Sequence, residues 1–283
     1  MTDSAQSSRR VLLVDDDRAL RYALTTLLTE AGHHVESVGD GPDALARLRD
    51  DTFDIVLLDI GLPSMSGLDV LATARARPTP PVVIMMTADD TPETLLQSVR
   101  GQAYRYLRKP FPPREIVDVV NDAVGPGAAL SIEVVSARPE WLELVAPCTL
   151  EMADRIQSFV MHLDAKLPED VREAVAQAFR ELLTNAIEWG GKLDPSRKVR
   201  ISCVRAKRML FYRIADPGKG FDIDGLRHAA ISNPDGDPIR HLLVREEQGL
   251  RPGGFGLAMT RSLVDELIYN EARNEVVFVK YLD

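Results

Sequence analysis

The first half of this 283-residue chain alternates short apolar runs with amphipathic stretches, and that alternation limits the folds open to it. We predict strands near 11–14, 33–38, 55–58, 82–86 and 104–107, and helices near 18–31, 41–50, 65–76, 91–101 and 113–124. Strands that alternate with helices predict a doubly wound parallel sheet with helices on both faces. Ligands of such sheets bind at the carboxyl ends of the strands.

The second half has a different pattern. A Gly/Pro/Ala-rich break at 125–131 separates the two, and we expect domains at 1–124 and 139–283 joined by a linker at 125–138. The apolar pattern beyond the break predicts strands at 132–136, 141–147, 198–204, 210–216 and 275–282, and helices near 150–165, 169–189 and 256–269. We therefore expect an α+β sandwich with a largely antiparallel sheet. The segment 217–253 is long for a connection, which is typical of functional loops.

Composition and charge exclude several classes of protein. The chain is 45% apolar and 27% charged, with a net charge of −9, as in soluble globular proteins. Residues 1–125 carry 13 basic and 19 acidic side chains, and the remainder is also acidic, so we expect no nucleic-acid partner. Without a signal-peptide core or a bilayer-length apolar run, we expect a cytoplasmic location and no membrane partner. Cys148 and Cys203 lack metal-ligand spacing.

Carboxylates follow two of the predicted strands in the first half. Three aspartates at 15–17 come after the first strand and Asp59 after the third, while Thr87 ends the fourth and Lys109 follows the fifth. These strand ends converge on one rim of a doubly wound sheet. Carboxylates gathered there repel one another unless a cation compensates them, and Mg²⁺ accepts such oxygen ligands. Lys109 could neutralise a phosphoryl group, and Thr87 could donate a hydrogen bond to it.

These residues lie in motifs that resemble the response-regulator receiver domain over residues 8–125. The matching stretches are LVDDD, LLDIGLPSMSG, MTA and RKPF. The resemblance implies a Mg²⁺ site on Asp15, Asp16 and Asp59. It also implies that Asp59 is the nucleophile that accepts a phosphoryl group from the phosphohistidine of a sensor histidine kinase.

The same resemblance assigns two switch positions, Thr87 and Tyr106, which couple the phosphoryl group to the face around the fourth and fifth strands. It also implies a cis bond between Lys109 and Pro110, a geometry that X–Pro bonds tolerate.

The second half carries three polar or glycine-rich motifs. Glu181 and Asn185 are four residues apart and share one stripe of the helix predicted over 169–189. DPGKGF at 216–221 follows a predicted strand, and GGFGLAM at 253–259 opens a predicted helix. Either glycine motif alone is weak evidence for a nucleotide-binding site. Their order and spacing together are more specific.

The combined pattern resembles the GHKL, or Bergerat-fold, ATPases over residues 140–283. The resemblance implies that Asn185 offers its amide oxygen to Mg²⁺, which holds the phosphates of ATP. Glu181, one turn earlier, would orient or deprotonate the attacking group. The carboxylate of Asp216 would accept the amino group of adenine.

The glycines of these motifs are assigned in the same way. Gly218 and Gly220 would let the backbone approach the base and ribose, and Gly254 and Gly256 would expose amides to phosphate at a helix N-terminus. Residues 222–252 would form the ATP lid.

Among GHKL proteins, the arrangement of strand, single helix and Glu181 helix resembles the anti-sigma-factor serine/threonine kinases. That resemblance implies phosphorylation of a Ser or Thr on an anti-anti-sigma protein of the STAS type, and possible binding of a sigma factor. Glu181 would be the base that takes the hydroxyl proton. Homodimers are expected because related domains pair.

Two alternatives stay open. In the first, ATP only orders the lid and the domain binds a partner such as a sigma factor; an intact Glu181 argues against it, because binding alone needs no base. In the second, a hybrid histidine kinase transfers phosphate through His162 to Asp59. The chain has no room for a second hairpin helix before Glu181, which argues against that reading.

Overall fold

A computed structural model describes residues 8–88, 91–123, 130–164, 166–221, 240–247 and 255–282, without the side chains of residues 241 and 245. The chain divides into two compact units, Met1–Ser131 and Ile132–Asp283. The second unit thus starts earlier than residue 139, where we expected its domain to begin. Within the described ranges, no helix combines the length and the apolar character that a membrane span requires.

The first unit is a parallel sheet with alternating helices. Its strands are β1 (Arg10–Val14), β2 (His34–Val38), β3 (Ile55–Asp59), β4 (Val82–Thr87) and β5 (Arg105–Arg108). Its helices are α1 (Arg18–Glu30), α2 (Gly41–Asp50), α3 (Gly67–Arg75), α4 (Pro92–Arg100) and α5 (Pro113–Asp122). The strands are ordered β2-β1-β3-β4-β5, and every pairing is parallel. The predicted doubly wound architecture is confirmed.

The central strands of this sheet are apolar along their length because both faces are covered. Residues 11–14 of β1 and 55–58 of β3 are fully buried, as expected for parallel strands between two helical layers. Asp17 ends the loop after β1 as the N-cap of α1, and its carboxylate accepts hydrogen bonds from the backbone N–H groups of Ala19 and Leu20. The burial and this cap fix the positions of the acidic residues that follow β1.

The second unit has a six-stranded antiparallel sheet. Its strands are β6 (Glu133–Arg138), β7 (Trp141–Pro147), β8 (Lys198–Ala206), β9 (Met209–Ala215), β10 (Glu266–Tyr269) and β11 (Glu275–Tyr281). Its helices are α6 (Leu150–Leu163), α7 (Glu169–Asn185), α8 (Arg240–Glu247) and α9 (Gly256–Leu263). The strand order is β10-β11-β9-β8-β7-β6. The predicted α+β arrangement with an antiparallel sheet is confirmed.

The core of this unit lies between α7 and the middle of the sheet. The ring of Tyr212 on β9 stacks on Phe278 of β11 with centroids 4.7 Å apart, and it meets Phe179 of α7 at 5.7 Å. All three side chains are buried. This contact fixes the height of α7 above the sheet, and with it the position of the polar stripe on that helix.

Three predicted boundaries differ from the structure. The helix predicted over 256–269 ends at Leu263, and Glu266–Tyr269 instead forms β10, which pairs with β11. Residues 133–138, which we included in the linker, form β6 and pair with β7. The long connection at 217–253 contains α8. In the first case hydrogen bonding to a neighbouring strand decides the conformation, and local sequence does not report that pairing. In the second case the strand itself was predicted at 132–136, and it belongs to the second unit instead of the linker.

The helix that we predicted to run to residue 189 changes character at Asn185. A π-helical turn follows over Ala186–Gly190, and the N–H of Gly191 donates to the carbonyl of Ala186 at 2.8 Å. Such turns widen the helix and occur often at functional sites. Here the turn directly follows the polar stripe.

Candidate functional site

Three carboxylates meet at the carboxyl ends of β1 and β3. Asp15, Asp16 and Asp59 each offer an oxygen, and these oxygens lie within 4.8 Å of one another. Asp15 and Asp59 are buried and Asp16 is exposed. Adjacent parallel strands bring them together, as predicted. A cluster of hard oxygen donors that reaches solvent on one side fits a Mg²⁺ ion that keeps several waters.

Lys109 compensates part of the negative charge of this cluster. Its Nζ donates to Asp15 Oδ2 and to Asp59 Oδ2, both at 2.6 Å. Burial raises the pKa of Asp15, and the hydrogen bond from Lys109 offsets only part of that effect. Burial acts to lower the pKa of Lys109, but the bonds to the two carboxylates outweigh it and raise that pKa. The ammonium group therefore stays charged between two carboxylates at neutral pH.

The loop after Asp59 is shaped around the carboxylate. The N–H of Gly61 donates to Asp59 Oδ1 at 3.2 Å. A Cβ at Gly67 would lie 2.0 Å from the carbonyl oxygen of Asp59, so only glycine fits there. Asp40, the N-cap of α2, accepts a bond from the N–H of Ser64 at 3.1 Å and so ties down the far side of this loop.

Thr87 and Tyr106 lie on the neighbouring strands. Both are buried, Thr87 as the last residue of β4 and Tyr106 within β5. The N–H of Lys109 donates to the carbonyl of Thr87 at 2.8 Å, which joins the ends of these two strands. The Lys109–Pro110 bond is cis, as the resemblance implied.

A second site in the other unit lies where α7 meets α9. Asn185 Nδ2 lies 3.4 Å from Glu181 Oε1, so the two side chains share one face of α7. Gly256, the first residue of α9, touches that carboxylate, because a Cβ built there would lie 1.7 Å from Glu181 Oε1. The structure thus brings together three residues that lie in two separate motifs of the sequence.

Asp216, directly after β9, lies on the other side of the π-helical turn. The N–H of Gly218 donates to Asp216 Oδ1 at 2.7 Å. A Cβ at Gly190 would come within 2.1 Å of this carboxylate. Burial raises the pKa of Asp216, while the N–H of Gly218 and the charge of Arg197 act to lower it. The turn over 186–190 therefore links the Glu181 and Asn185 pair to the Asp216 loop.

The remaining predicted glycines divide into two groups. Gly220 has a φ of +81°, and a Cβ there would lie 1.5 Å from the carbonyl oxygen of Ala272 in the turn between β10 and β11. A side chain at residue 220 is therefore excluded on two grounds. Gly254 and most of the predicted lid, apart from 240–247, lie outside the described residues.

Comparison with protein families decides what these two units are. Residues 11–121 match the response regulator receiver domain, and residues 146–280 match the histidine kinase-like ATPase domain. The chain joins a receiver domain to a histidine kinase-like ATPase domain. Both recognitions made from the motifs are confirmed at this level.

Several response regulators resemble the chain over a length close to that of its receiver domain. It is 41% identical over 118 residues to the sensory transduction protein RegX3 of Mycolicibacterium smegmatis, covering 42% of this chain and 51% of that protein. It is 40% identical over 109 residues to the DNA-binding response regulator MtrA of Mycolicibacterium paratuberculosis, covering 38% and 48%. The chain spans about half the length of these curated relatives.

Similar solved structures include a CheY-like receiver domain protein from Methanospirillum hungatei JF-1. It is 31% identical, with a TM-score of 0.39 over 41% of this chain and 93% of that chain. The chemotaxis response regulator CheY4 of Vibrio cholerae is 28% identical, with a TM-score of 0.39 over 42% and 100%.

Sequence reasoning missed the residues that support Asp216 in the ATPase domain. Arg197 and Asn274 donate to backbone carbonyls of the Asp216 loop, and Cys148 lies buried beneath Gly191. None of the three belongs to a motif. The Asn-containing turn at 270–274 is a recognisable turn signal, but nothing in the sequence indicates which loop it contacts.

Proposed function

We propose that this chain is a response regulator in which phosphorylation of Asp59 controls an ATP-dependent serine/threonine protein kinase. The observation that carries the output half is the position of Glu181 between α7 and α9, where its carboxylate contacts both Asn185 and Gly256. A carboxylate, an amide oxygen and the start of a helix are the groups needed beside the terminal phosphate of ATP. A domain that only bound ATP would need no carboxylate there.

In the receiver domain, an oxygen of Asp59 would attack the phosphorus of a phosphohistidine on a sensor histidine kinase. The bond from phosphorus to the histidine nitrogen breaks as the acyl phosphate forms. Lys109 and the hydroxyl of Thr87 would then bind phosphoryl oxygens, which the 2.6 Å contact of Lys109 with Asp59 supports. Bound at Asp15, Asp16 and Asp59, Mg²⁺ would supply the positive charge that lets an anionic donor approach.

In the ATPase domain, Glu181 would accept the proton of a serine or threonine hydroxyl on the protein substrate. The hydroxyl oxygen then attacks the terminal phosphorus of ATP, and ADP leaves. Asn185 would ligate Mg²⁺, Asp216 would accept the adenine amino group, and Gly218, Gly220, Gly254 and Gly256 would line the nucleotide. The glycines at 190, 218 and 256 lie directly against the carboxylates of Asp216 and Glu181, which supports a backbone that passes close to the two acidic groups of the proposed site.

The substrate that we propose is a STAS-type anti-anti-sigma protein, with a sigma factor as a further partner. This choice rests on the resemblance of the Glu181 helix and its neighbours to the anti-sigma-factor kinases. The joined receiver domain would make that kinase dependent on a sensor histidine kinase.

The test is a transfer assay with γ-labelled ATP, Mg²⁺ and candidate STAS partners, with and without beryllofluoride as an acyl-phosphate mimic. We expect acid-stable label on the partner, at a rate that beryllofluoride changes in the wild type but not in Asp59→Asn. Glu181→Ala should abolish transfer. Glu173→Ala, an exposed glutamate two turns earlier on α7, is the matched control and should retain it.

Two outcomes would reject the kinase proposal. Retention of ATP without any transfer, together with binding of a partner, would favour the non-catalytic switch. Acid-labile label on the chain that His162→Ala removes would favour the hybrid histidine kinase.

A further inference from the structure

The loop that carries Asp216 is held from two sides by residues of other segments. Arg197 Nη2 donates to the carbonyl of Pro217 at 2.6 Å. Asn274 Nδ2 donates to the carbonyl of Gly218 at 3.0 Å, and the N–H of Asp216 donates to the carbonyl of Asn274 at 2.8 Å. Three hydrogen bonds therefore fix three consecutive residues of the loop.

Arg197 is itself anchored just before β8. Its N–H donates to the carbonyl of Asp194, and its carbonyl accepts from the N–H of Cys148, both at 3.0 Å. The guanidinium therefore extends from a fixed backbone to the loop. Its charge also acts on Asp216, where it opposes the effect of burial on the pKa of that carboxyl.

Asn274 is held by a partner that also sets the orientation of its amide. Asn270 Nδ2 donates to Asn274 Oδ1 at 2.8 Å, and Asn270 Oδ1 accepts from the N–H of Asn274 at 3.1 Å. With Oδ1 engaged as an acceptor, Nδ2 of Asn274 points to the carbonyl of Gly218. The turn between β10 and β11 is thus a hydrogen-bonded support for the loop.

Among the described residues, these contacts engage one of the two carboxylate oxygens of Asp216. Oδ1 is bonded to the N–H of Gly218, and within the part of the chain that the structure describes Oδ2 accepts no hydrogen bond. Gly190 packs against the carboxylate and prevents it from rotating away. Because hydrogen bonds weaken steeply with distance and angle, a small shift of this loop would misplace Oδ2.

We propose that Arg197 and Asn274 are positioning residues that hold Asp216 where it distinguishes adenine from bases that present a carbonyl at the same ring position. This inference rests on the proposed binding of ATP at Asp216. Adenine carries an amino donor that a carboxylate accepts, whereas hypoxanthine carries a carbonyl there, which a carboxylate repels. A site built to accept one hydrogen bond rejects a ligand that cannot donate it.

The experiment measures the binding of ADP and of IDP to the full chain by calorimetry, in the presence of Mg²⁺. We expect wild type to prefer ADP. Arg197→Ala and Asn274→Ala should each weaken ADP binding about tenfold, the upper range for one lost hydrogen bond, and leave IDP binding nearly unchanged. Lys198→Ala, next in the chain and on an exposed ion pair with Glu133, is the control and should bind as wild type.

Two further variants separate positioning from a general loss of structure. Arg197→Lys keeps the charge and a donor and should recover most of the preference for ADP. Asn274→Asp is isosteric but cannot donate to the carbonyl of Gly218, so it should lose the preference as Asn274→Ala does. Thermal unfolding of each variant shows whether it is folded at the assay temperature, and the two conservative variants carry the test if an alanine variant unfolds.

The dependence of ADP binding on pH gives an independent readout. The charge of Arg197 acts on Asp216, and the charges of Arg197, Asp216 and Asp194 act on the nearby thiol of Cys148. Without the charge of Arg197, the pKa of Asp216 rises further. As the pH is lowered, Arg197→Ala should therefore lose its affinity for ADP at a higher pH than the wild type does. Arg197→Lys should restore the wild-type profile.

An unchanged ratio of ADP to IDP affinity in both alanine variants would overturn the inference. This outcome includes an equal weakening of ADP and IDP, which is the effect of a purely structural role. Asp216→Asn serves as a reference: if it loses the preference while the Arg197 and Asn274 variants keep it, the inference alone is wrong. If the wild type binds neither ADP nor IDP, both this inference and the proposed function are wrong.

Discussion

The carboxylate of Glu181 lies directly against the backbone of Gly256. A Cβ at residue 256 would come within 1.7 Å of Oε1 and 2.6 Å of Cγ. Glu181 belongs to α7 and Gly256 begins α9, so these two helices meet at the proposed catalytic base only because residue 256 has no side chain. The glycine therefore serves the packing of the two helices, in addition to the role that we propose for it beside the nucleotide.

Gly256→Ala should therefore destabilise the ATPase domain. One added methyl group in a contact this close displaces either the Glu181 side chain or α9, and such overpacking costs about 1–3 kcal/mol of unfolding free energy. We expect a lower urea midpoint and weaker ATP binding. Ser262→Ala, on the exposed side of the same helix, should change neither measurement appreciably.

The double variant Glu181→Ala/Gly256→Ala tests whether the contact with Glu181 causes this loss of stability. Because alanine at residue 181 removes the atoms that the new methyl group would strike, the double variant should be more stable than Gly256→Ala alone. A double-mutant cycle measures this coupling. If the stability changes of the two single variants simply add, the contact between residues 181 and 256 does not explain the destabilisation by Gly256→Ala.

The first domain could be predicted from the sequence almost completely, whereas β10 and α8 of the second could not. β1 to β5 are recognisable because each apolar run is bounded by a helix or a turn. The stretch SLVDELIY at 262–269 fits a helical period as well as a strand. Its pairing with Val276–Val279 of β11 decides in favour of a strand after Leu263, and that pairing depends on the fold as a whole.

The candidate sites divide in the same way. Asp59, Glu181 and Asp216 could be found because each lies in a short motif. Their supports could not, since Arg197 lies 20 residues and Asn274 lies 56 residues from the carbonyls that they bind. No local pattern reports a contact that only the pairing of β9 with β8 and with β11 creates.

Binding of Mg²⁺ to the receiver domain should weaken as the pH falls. Burial raises the pKa of Asp15 above its ordinary value. A protonated carboxyl does not bind the metal, so affinity is complete above the raised pKa and is lost as the pH falls through it. Calorimetric Mg²⁺ titrations without nucleotide, at a series of pH values, measure the effect.

Two substitutions identify the group responsible. Asp15→Asn should bind Mg²⁺ weakly and lose most of this pH dependence. Asp43→Asn, an exposed acid in the first turn of α2, should keep the wild-type profile. A wild-type profile that is flat down to the ordinary pKa of aspartate would contradict the prediction.

Cys148 should resist alkylation in the folded protein. The thiol is buried, a Cβ at Gly191 would lie 2.4 Å from its Sγ, and burial raises its pKa to about 11. At pH 8 about one thiol in a thousand is then the reactive thiolate. The chain has two cysteines, so iodoacetamide labelling of Cys203→Ala isolates Cys148.

We expect labelling of that variant to be slow at pH 8 and to reach the rate of an ordinary thiol only in urea. The same shift makes folding stability depend on pH. The raised pKa contributes stability that is fully present below the pKa of the unfolded thiol and is lost as the pH rises towards 11. Rapid labelling of the native protein at pH 8 would show that Cys148 is not enclosed as described.

The buried carboxylate of Asp164 in the ATPase domain gives a further test of stability. Asp164, directly after α6, is buried and accepts hydrogen bonds from the hydroxyl of Tyr212 and the guanidinium of Arg205. Asp164→Ala leaves the buried hydroxyl of Tyr212 without its acceptor and leaves the partly buried Arg205 with the carbonyl of Leu163 in place of a carboxylate. Breaking a buried pair in this way costs about 3–5 kcal/mol, and we expect the lower end because Arg205 keeps some contact with water.

A series of variants separates the charge from the hydrogen bonds, and urea unfolding measures it. Tyr212→Phe removes one hydroxyl and should cost about 1 kcal/mol. The double variant Asp164→Leu/Arg205→Met should be more stable than Asp164→Ala, because it buries no unpaired charge. If Asp164→Ala costs no more than Tyr212→Phe, Arg205 must recover its hydration fully on losing Asp164, and the carboxylate would then stabilise the domain through Tyr212 alone.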